Sequence, residues 1–386
     1  MNYKSELLNT ILPFWMGEAL DLTHGGIYTQ LDEKGAVYGT DKSVWFQGRA
    51  LWTFCKAYNT IEKNPAFLQA AECIYSFLPH CTDRDGRMFF TVTQNGRELQ
   101  KRRYYFSETF AAIGCAEYYK ATKNPKVLKK AKQYFAVAYE CFKGIRENKP
   151  KINPENQKMK ALSPVMIMLS TAQTMRSIGC SEKEFYHAIV CECLDDIING
   201  GFLTDKGLLE NVSADGMPVD SPVGRIVNPG HSFEAAWFIM LEGILSDNRI
   251  AIAAGKKIID TTLPLGWDEN TGGIIAFCDI EGKPPVQLEW DMKLWWPQCE
   301  AMIALRMAYQ LFKEEQYRSK YVELKEYCKQ YFVDTQNGEW YGYLHYDNTV
   351  STNLKGNIFK GPFHIPRLYM IMAIMDEDNC IDRYAL

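Results

Sequence analysis

A short hairpin built on glycine and apolar or aromatic residues returns along this chain at a nearly fixed interval. It reads His24-Gly25-Gly26-Ile27-Tyr28 leading to Lys34-Gly35, and Asp85-Gly86-Arg87-Met88-Phe89 leading to Asn95-Gly96. It recurs as Lys206-Gly207-Leu208-Leu209 leading to Asp215-Gly216, Gly272-Gly273-Ile274-Ile275 leading to Glu281-Gly282, and Asn337-Gly338-Glu339-Trp340 leading to Asp347-Asn348. Each alternates like a strand and has Gly or Asn at the tip, the residues that accept the positive φ of a tight turn. The first glycines, at 25, 86, 207, 272 and 338, are 61, 121, 65 and 66 residues apart. The long gap is close to two periods. The unit without a hairpin falls near 145–160, where Pro150, Pro154 and polar residues stand instead. Six units of about 64 residues account for all 386.

Between hairpins a 3.6-residue period predicts twelve helices, near 3–20, 45–62, 65–80, 105–122, 125–143, 162–178, 182–199, 229–246, 249–264, 291–312, 316–333 and 363–377. Links from helix to helix are short and marked by proline, as at Asn64-Pro65 and Asn124-Pro125; those through a hairpin are longer. The helix after each hairpin is apolar and rich in small residues, as in Ala111-Ala112-Ile113-Gly114 and Ala235-Ala236-Trp237, which suits a helix covered on both sides. Its partner is more charged, as from Lys126 to Lys132 and from Glu314 to Lys329, which suits an outer ring. Paired helices repeated six times build an open solenoid or a closed ring, and neither end has the polar capping repeat an open solenoid needs. The expectation is one all-α domain over 1–386, an (α/α)6 toroid with short β-hairpins at one end.

The inner helices begin alike, with a polar residue among aromatic or small ones. These are Arg49 after Trp45-Phe46-Gln47-Gly48, Glu108 after Tyr105-Phe106-Ser107, and His231 and Glu234 in Asn228-Pro229-Gly230-His231-Ser232-Phe233-Glu234. Glu300 follows Trp295-Trp296-Pro297-Gln298-Cys299, and His364 and Arg367 lie in Gly361-Pro362-Phe363-His364-Ile365-Pro366-Arg367. Their spacing tracks the repeat, so a six-fold ring gathers them at one end around the axis, where converging polar groups make a small-molecule site. The i, i+3 relation puts Glu234 near His231 and Arg367 near His364. The Trp45, Trp52, Trp295 and Trp296 cluster serves as core or as a sugar platform. His24, His80, His187 and His345 read as hydrogen-bonded structural residues.

Several chemistries are disfavoured. Forty-three basic and 47 acidic residues give a net charge of −4 with no basic run, so nucleic acid and anionic membranes have no electrostatic footprint. No apolar run reaches the roughly 18 residues of a membrane span, and the start lacks a signal-peptide layout. Twelve cysteines without a Cys-x-x-Cys pair suit free thiols in the cytosol. There is no phosphate loop, dinucleotide fingerprint or nucleophile elbow, and no metal-ligand spacing, so no metal is expected. Glu108 and Glu300 leave an inverting glycosidase open as a rival.

The stretches Trp45-Phe46-Gln47-Gly48-Arg49, Asn228-Pro229-Gly230-His231-Ser232-Phe233-Glu234-Ala235, Gln287-Leu288-Glu289-Trp290, Leu294-Trp295-Trp296-Pro297 and Phe359-Lys360-Gly361-Pro362-Phe363-His364-Ile365-Pro366-Arg367 resemble the signatures of the N-acylglucosamine 2-epimerase family, also called renin-binding protein. The likeness runs from the Phe14-Trp15 helix to the last helix. It implies catalysis by Arg49, His231, Glu300 and His364, with Glu108, Glu234, Trp45, Trp296 and Arg367 about an amino-sugar substrate. It implies interconversion of N-acetylglucosamine and N-acetylmannosamine through an open-chain enediolate. Two histidines suit removal of a proton from one face of C2 and its return to the other. A helix N-terminus disfavours imidazolium, which keeps a histidine available as base. Arg49 suits the enediolate charge, and Glu300 orients a histidine or binds a hydroxyl. No cofactor is consumed. ATP as an allosteric activator follows from the resemblance alone, with the loop from Lys149-Pro150-Lys151 to Lys158-Met159-Lys160 as a candidate for its phosphates. A cytoplasmic homodimer is expected. Aldose–ketose isomerases and disaccharide 2-epimerases share the toroid and the intermediate, and a non-enzymic renin-binding role is the remaining alternative.

Overall fold

Small residues let the inner helices touch backbone to backbone. A Cβ on Gly48 would lie 2.4 Å from the Phe110 carbonyl carbon, and one on Gly114 would lie 2.6 Å from the Gly48 oxygen. That approach joins α3 (Val44–Thr60) to α5 (Phe106–Thr122). The computed structural model describes residues 1–101, 104–147, 153 and 155–378. The next inner helices are α7 (Leu162–Arg176), α9 (Pro229–Leu245), α11 (Trp295–Phe312) and α13 (His364–Asp378). Each packs on the next, and α13 returns to α3, so the ring closes.

The outer helices α4 (Pro65–Phe77), α6 (Pro125–Phe142), α8 (Lys183–Asn199), α10 (Arg249–Gly266) and α12 (Glu315–Tyr331) each pack on the inner helix before them. They bury one stripe. In α6 it is Val127, Ala131, Tyr134, Phe135, Ala138 and Cys141, the amphipathic pattern of a helix with one face to solvent. Asn64 and Asn124 cap α4 and α6, and a proline follows each cap.

The sixth outer place is filled from the other end of the chain. The first segment comprises α1 (Tyr3–Glu6), a π-helical turn (Leu7–Ile11) and α2 (Leu12–Met16), and it packs on α13. Tyr3 meets Tyr369 edge to face at 5.3 Å, and Lys4 pairs with Glu377 at 2.7 Å. The helix expected over 3–20 therefore stops at Met16 and carries a π turn just before Pro13, which cannot donate a backbone hydrogen bond. The helix expected from 291 starts at Trp295, because Lys293–Leu294 is taken by a strand.

The hairpins link into a collar at the N-terminal ends of the inner helices. The strands are β1 (Lys42–Ser43), β2 (Thr91–Val92), β3 (Glu98–Gln100), β4 (Met159–Ala161), β5 (Asn211–Ser213), β6 (Ile226–Val227), β7 (Cys278–Asp279), β8 (Lys293–Leu294) and β9 (Tyr343–Leu344). The strand entering an inner helix pairs antiparallel with the hairpin of the next repeat: β1 with β2, β4 with β5, β6 with β7 and β8 with β9. Pro150, Pro154 and the basic stretch Lys149 to Lys151 lie outside the described residues. No helix among the described residues is long and apolar enough to cross a membrane.

Candidate active site

The first two turns of α3, α9, α11 and α13 place Arg49, His231, Trp296, Glu300 and His364 together, as the repeat spacing requires. The Trp296 ring adjoins both histidines, 5.2 Å from His231 and 5.7 Å from His364. Gly230 makes room for it: a Cβ there would lie 2.4 Å from the indole.

Each histidine is anchored at Nδ1 by a carboxylate. His364 Nδ1 is 2.8 Å from Glu300 Oε1, and His231 Nδ1 is 2.9 Å from Glu210 Oε1. An ionised carboxylate accepts, so the imidazole donates from Nδ1 and leaves Nε2 for chemistry. Glu210 is the residue that sequence reasoning missed. It lies in the hairpin preceding α9, where its N–H donates to Ile226 O and its carbonyl accepts from Leu162 N. Strand β6 on one side and the start of α7 on the other thus fix its backbone. The signal available was one acidic residue directly after the buried Leu208-Leu209 pair.

The i, i+3 relation gives a direct contact at one histidine and an influence through charge at the other. Arg367 Nη2 is 3.3 Å from His364 Nδ1, as expected. Glu234 is hydrogen-bonded instead to Arg367 Nη2, which also lies 2.7 Å from Glu300 Oε1. Glu300 Oε2 accepts from Trp237 Nε1 at 2.8 Å. Glu234, Glu300 and His364 offer ligand atoms within 4.8 Å of one another, a set that could hold a metal ion. The Arg367 guanidinium contacts all three and supplies the positive charge that such an ion would bring.

The two histidines are biased in opposite directions. At His231 burial disfavours the cation, but the Glu210 carboxylate, then Glu234 and Glu300, override it and raise the pKa. At His364 burial, then Arg367 and Arg49, push the pKa well below the ordinary value, with Glu234 opposing. At His231 the bonded carboxylate therefore opposes the bias against imidazolium that a helix N-terminus supplies.

Arg49 lies over the faces of Phe110 and Phe363, 4.0 and 4.7 Å from their centroids, with half-buried Trp45 at 5.6 Å. Burial lowers its pKa to about 9, with the Glu234 charge opposing. Its Nε has no hydrogen-bond partner among the described residues.

Glu108 does not join the cluster. It is fully buried, and its Oε1 accepts from Arg87 Nε at 2.6 Å and from Met88 N at 2.9 Å. Its counterparts in the repeat are Gln47, which accepts from Ile27 N, and Gln298, which accepts from Ile274 N. These residues fasten a hairpin to the helix after it, two positions before the functional one. The glycosidase pair of Glu108 and Glu300 is therefore not assembled: the first is bonded into a hairpin and the second holds Trp237, Arg367 and His364.

A family model described as N-acylglucosamine 2-epimerase (GlcNAc 2-epimerase) matches residues 26–363. The N-acylglucosamine 2-epimerase of Rattus norvegicus is 32% identical over 374 residues, spanning 93% of this chain and 88% of that relative. The cellobiose 2-epimerase of Dictyoglomus turgidum is 25% identical over 396 residues, spanning 95% and 96%. The solved cellobiose 2-epimerase from Bacillus thermoamylovorans shares the fold with a TM-score of 0.83 at 22% identity, covering 95% of this chain and 97% of that one.

Proposed function

The chain belongs to the N-acylglucosamine 2-epimerase family, and from that membership we propose that it interconverts N-acetylglucosamine and N-acetylmannosamine. The C2 proton becomes acidic when C1 is an open-chain aldehyde. His364, kept neutral by burial and two arginines, takes that proton at Nε2. The charge moves to the C1 oxygen, where the Arg49 guanidinium stabilises the enediolate. His231, biased towards its protonated form by Glu210, returns a proton to the opposite face. The reverse reaction uses the same groups with roles exchanged. At rest the site is therefore set for the epimer whose C2 proton faces His364.

The observation that carries this reading is the pair of carboxylate-anchored histidines in contact with one indole. An aldose–ketose isomerase needs one base on one face, whereas inversion needs two. Proton NMR of N-acetylglucosamine in deuterated water tests it: the C2 proton exchanges and the mannosamine epimer accumulates. His231→Ala and His364→Ala each lose about 10²–10⁴-fold in interconversion. A mutant that still opens the sugar ring exchanges the C2 proton of one epimer without inverting it. Appearance of a ketose, or near-wild-type rates in both folded mutants, would overturn the assignment.

We carry three further properties as proposals. ATP is an activator that is not consumed, tested by titrating a non-hydrolysable analogue during turnover. The protein is cytoplasmic, a reading that eleven free cysteines among the described residues support. It pairs as a homodimer, for which exposed Val286, Leu288 and Trp290 offer an apolar surface; light scattering tests this.

A further inference from the structure

The barrel holds a chamber at the mouth opposite the hairpin collar. Its floor is an aromatic layer. Trp52 meets Phe363 at 5.2 Å, the Arg367 guanidinium lies 4.7 Å from the Phe363 centroid and 5.1 Å from that of Trp237, and Trp237 meets Phe238 at 4.3 Å. Above that floor is a cavity of about 620 Å³ between α3, α5, α7 and α9, within the usual range for small-molecule sites. Neither histidine of the active site, nor Arg49 or Trp296, is among its lining residues.

The walls carry charge of both signs, with Lys56, Arg176 and Lys183 beside Glu117 and Glu184. On one side Lys56 Nζ pairs with Glu117 Oε1 at 3.4 Å, both residues buried. On the other, Arg176 makes a two-pronged contact with Glu242 at 2.8 and 2.6 Å and lies 3.0 Å from His187 Nδ1. Ser170, Gln173 and Thr174 supply uncharged polar groups between the two sets. Paired ions keep donor and acceptor capacity on their outer edges. An added anion would meet the Glu117 carboxylate, and a hydrocarbon chain would strip both pairs of water at a cost. A ring with one apolar face and several hydroxyls matches the floor and both walls at once.

We propose that this chamber is a second, non-catalytic binding site for a neutral sugar, with the amino-sugar substrate itself as the natural occupant. The choice of sugar rests on the epimerase reading above. The floor is also the back of the active site, since Trp237 Nε1 holds Glu300 and Arg367 holds Glu234 and Glu300. Occupancy thus bears on the carboxylate that anchors His364.

The test is methyl NMR of the full chain, with Ile113 and Leu241 as reporters, because both line the chamber. Titration with N-acetylglucosamine is expected to shift both signals saturably, and an equal titration with inorganic phosphate to leave them in place. Thr174→Trp, which fills the chamber, should abolish the shifts, keep turnover and remove any departure from hyperbolic kinetics at high substrate. If Thr174→Trp lacks a cooperative melt, Ser170→Phe replaces it. Silent methyls during active turnover, shifts that persist in the filled variant, or shifts that follow phosphate would each overturn the site. Saturable shifts without any epimerisation would uphold the site and strike the catalytic reading.

Discussion

At the active site, opposite bias on two like residues is the central fact. On the proposed mechanism the competent form has His364 neutral and His231 protonated, so it is populated between the two pKa values. The kcat/KM profile is expected to be bell-shaped. Its acid limb lies below the ordinary histidine value of about 6.5, from His364, and its alkaline limb lies above it, from His231. Glu210→Gln removes the anion that raises His231, so the alkaline limb moves down while the acid limb stays. A profile unmoved in the folded variant would remove Glu210 from its positioning role. EDTA is expected to leave turnover intact, because Arg367 occupies the Glu234, Glu300 and His364 set; loss on chelation, restored by one divalent ion, would contradict this. Arg49, His231, Glu300 and His364 were legible because each stands at an inner-helix start on the repeat period. Glu210 was not, since it reaches His231 from a hairpin 21 residues earlier and only the collar pairing brings it there. Glu108 misled because it shares its helix turn with the functional position but lies two residues out of phase.

Among the elements, the hairpins carry a device that repeats three times. Lys42 pairs with Asp21 at 2.7 Å, Lys293 with Asp268 at 2.6 Å and Lys355 with Asp334 at 2.7 Å, and all three lysines are fully buried. Each aspartate also accepts two turn amides through Oδ1, as Asp268 does from Asn270 and Thr271. The sequence held the signal: the aspartate precedes the first hairpin glycine by four residues in all three units, at Gly25, Gly272 and Gly338. Aligning the repeats on charge as well as on glycine would have revealed it. Burial alone would raise these carboxyls, but the lysine and the turn hydrogen bonds hold them below the ordinary range. Their contribution to stability is therefore present above about pH 4 and is lost as pH falls through the depressed values. Lys293→Met leaves Asp268 buried without its cation and is expected to cost about 3–5 kcal/mol. Urea unfolding at neutral pH measures it, and a coincident curve would refute the clamp. Helix number and order were legible from periodicity. The collar was not, because strands of two or three residues carry too little pattern to announce which hairpin they join.

At the scale of the molecule, the ring is closed by its two ends. Residues 3–16 cover α13, and α13 seals the seam between α11 and α3, where Thr53 Oγ1 donates to Pro362 O at 2.6 Å across 309 residues of chain. Deletion of residues 1–16 should uncover Tyr369 and Leu368, which are buried, and abolish the cooperative melt seen by near-ultraviolet circular dichroism. A cooperative transition in the truncated protein would show that the ring closes without its last outer member. The closure was legible as the absence of capping repeats, whereas the exchange of the sixth outer place to the opposite end was not marked by any residue type. The same seam governs the chain while it is being made. Growth at roughly 5–20 residues per second leaves a partial ring with the flanks of α3 and α11 bare. His364 is the first residue of the helix that covers them. A chain released short of that point would therefore lack both this histidine and the cover over α3 and α11.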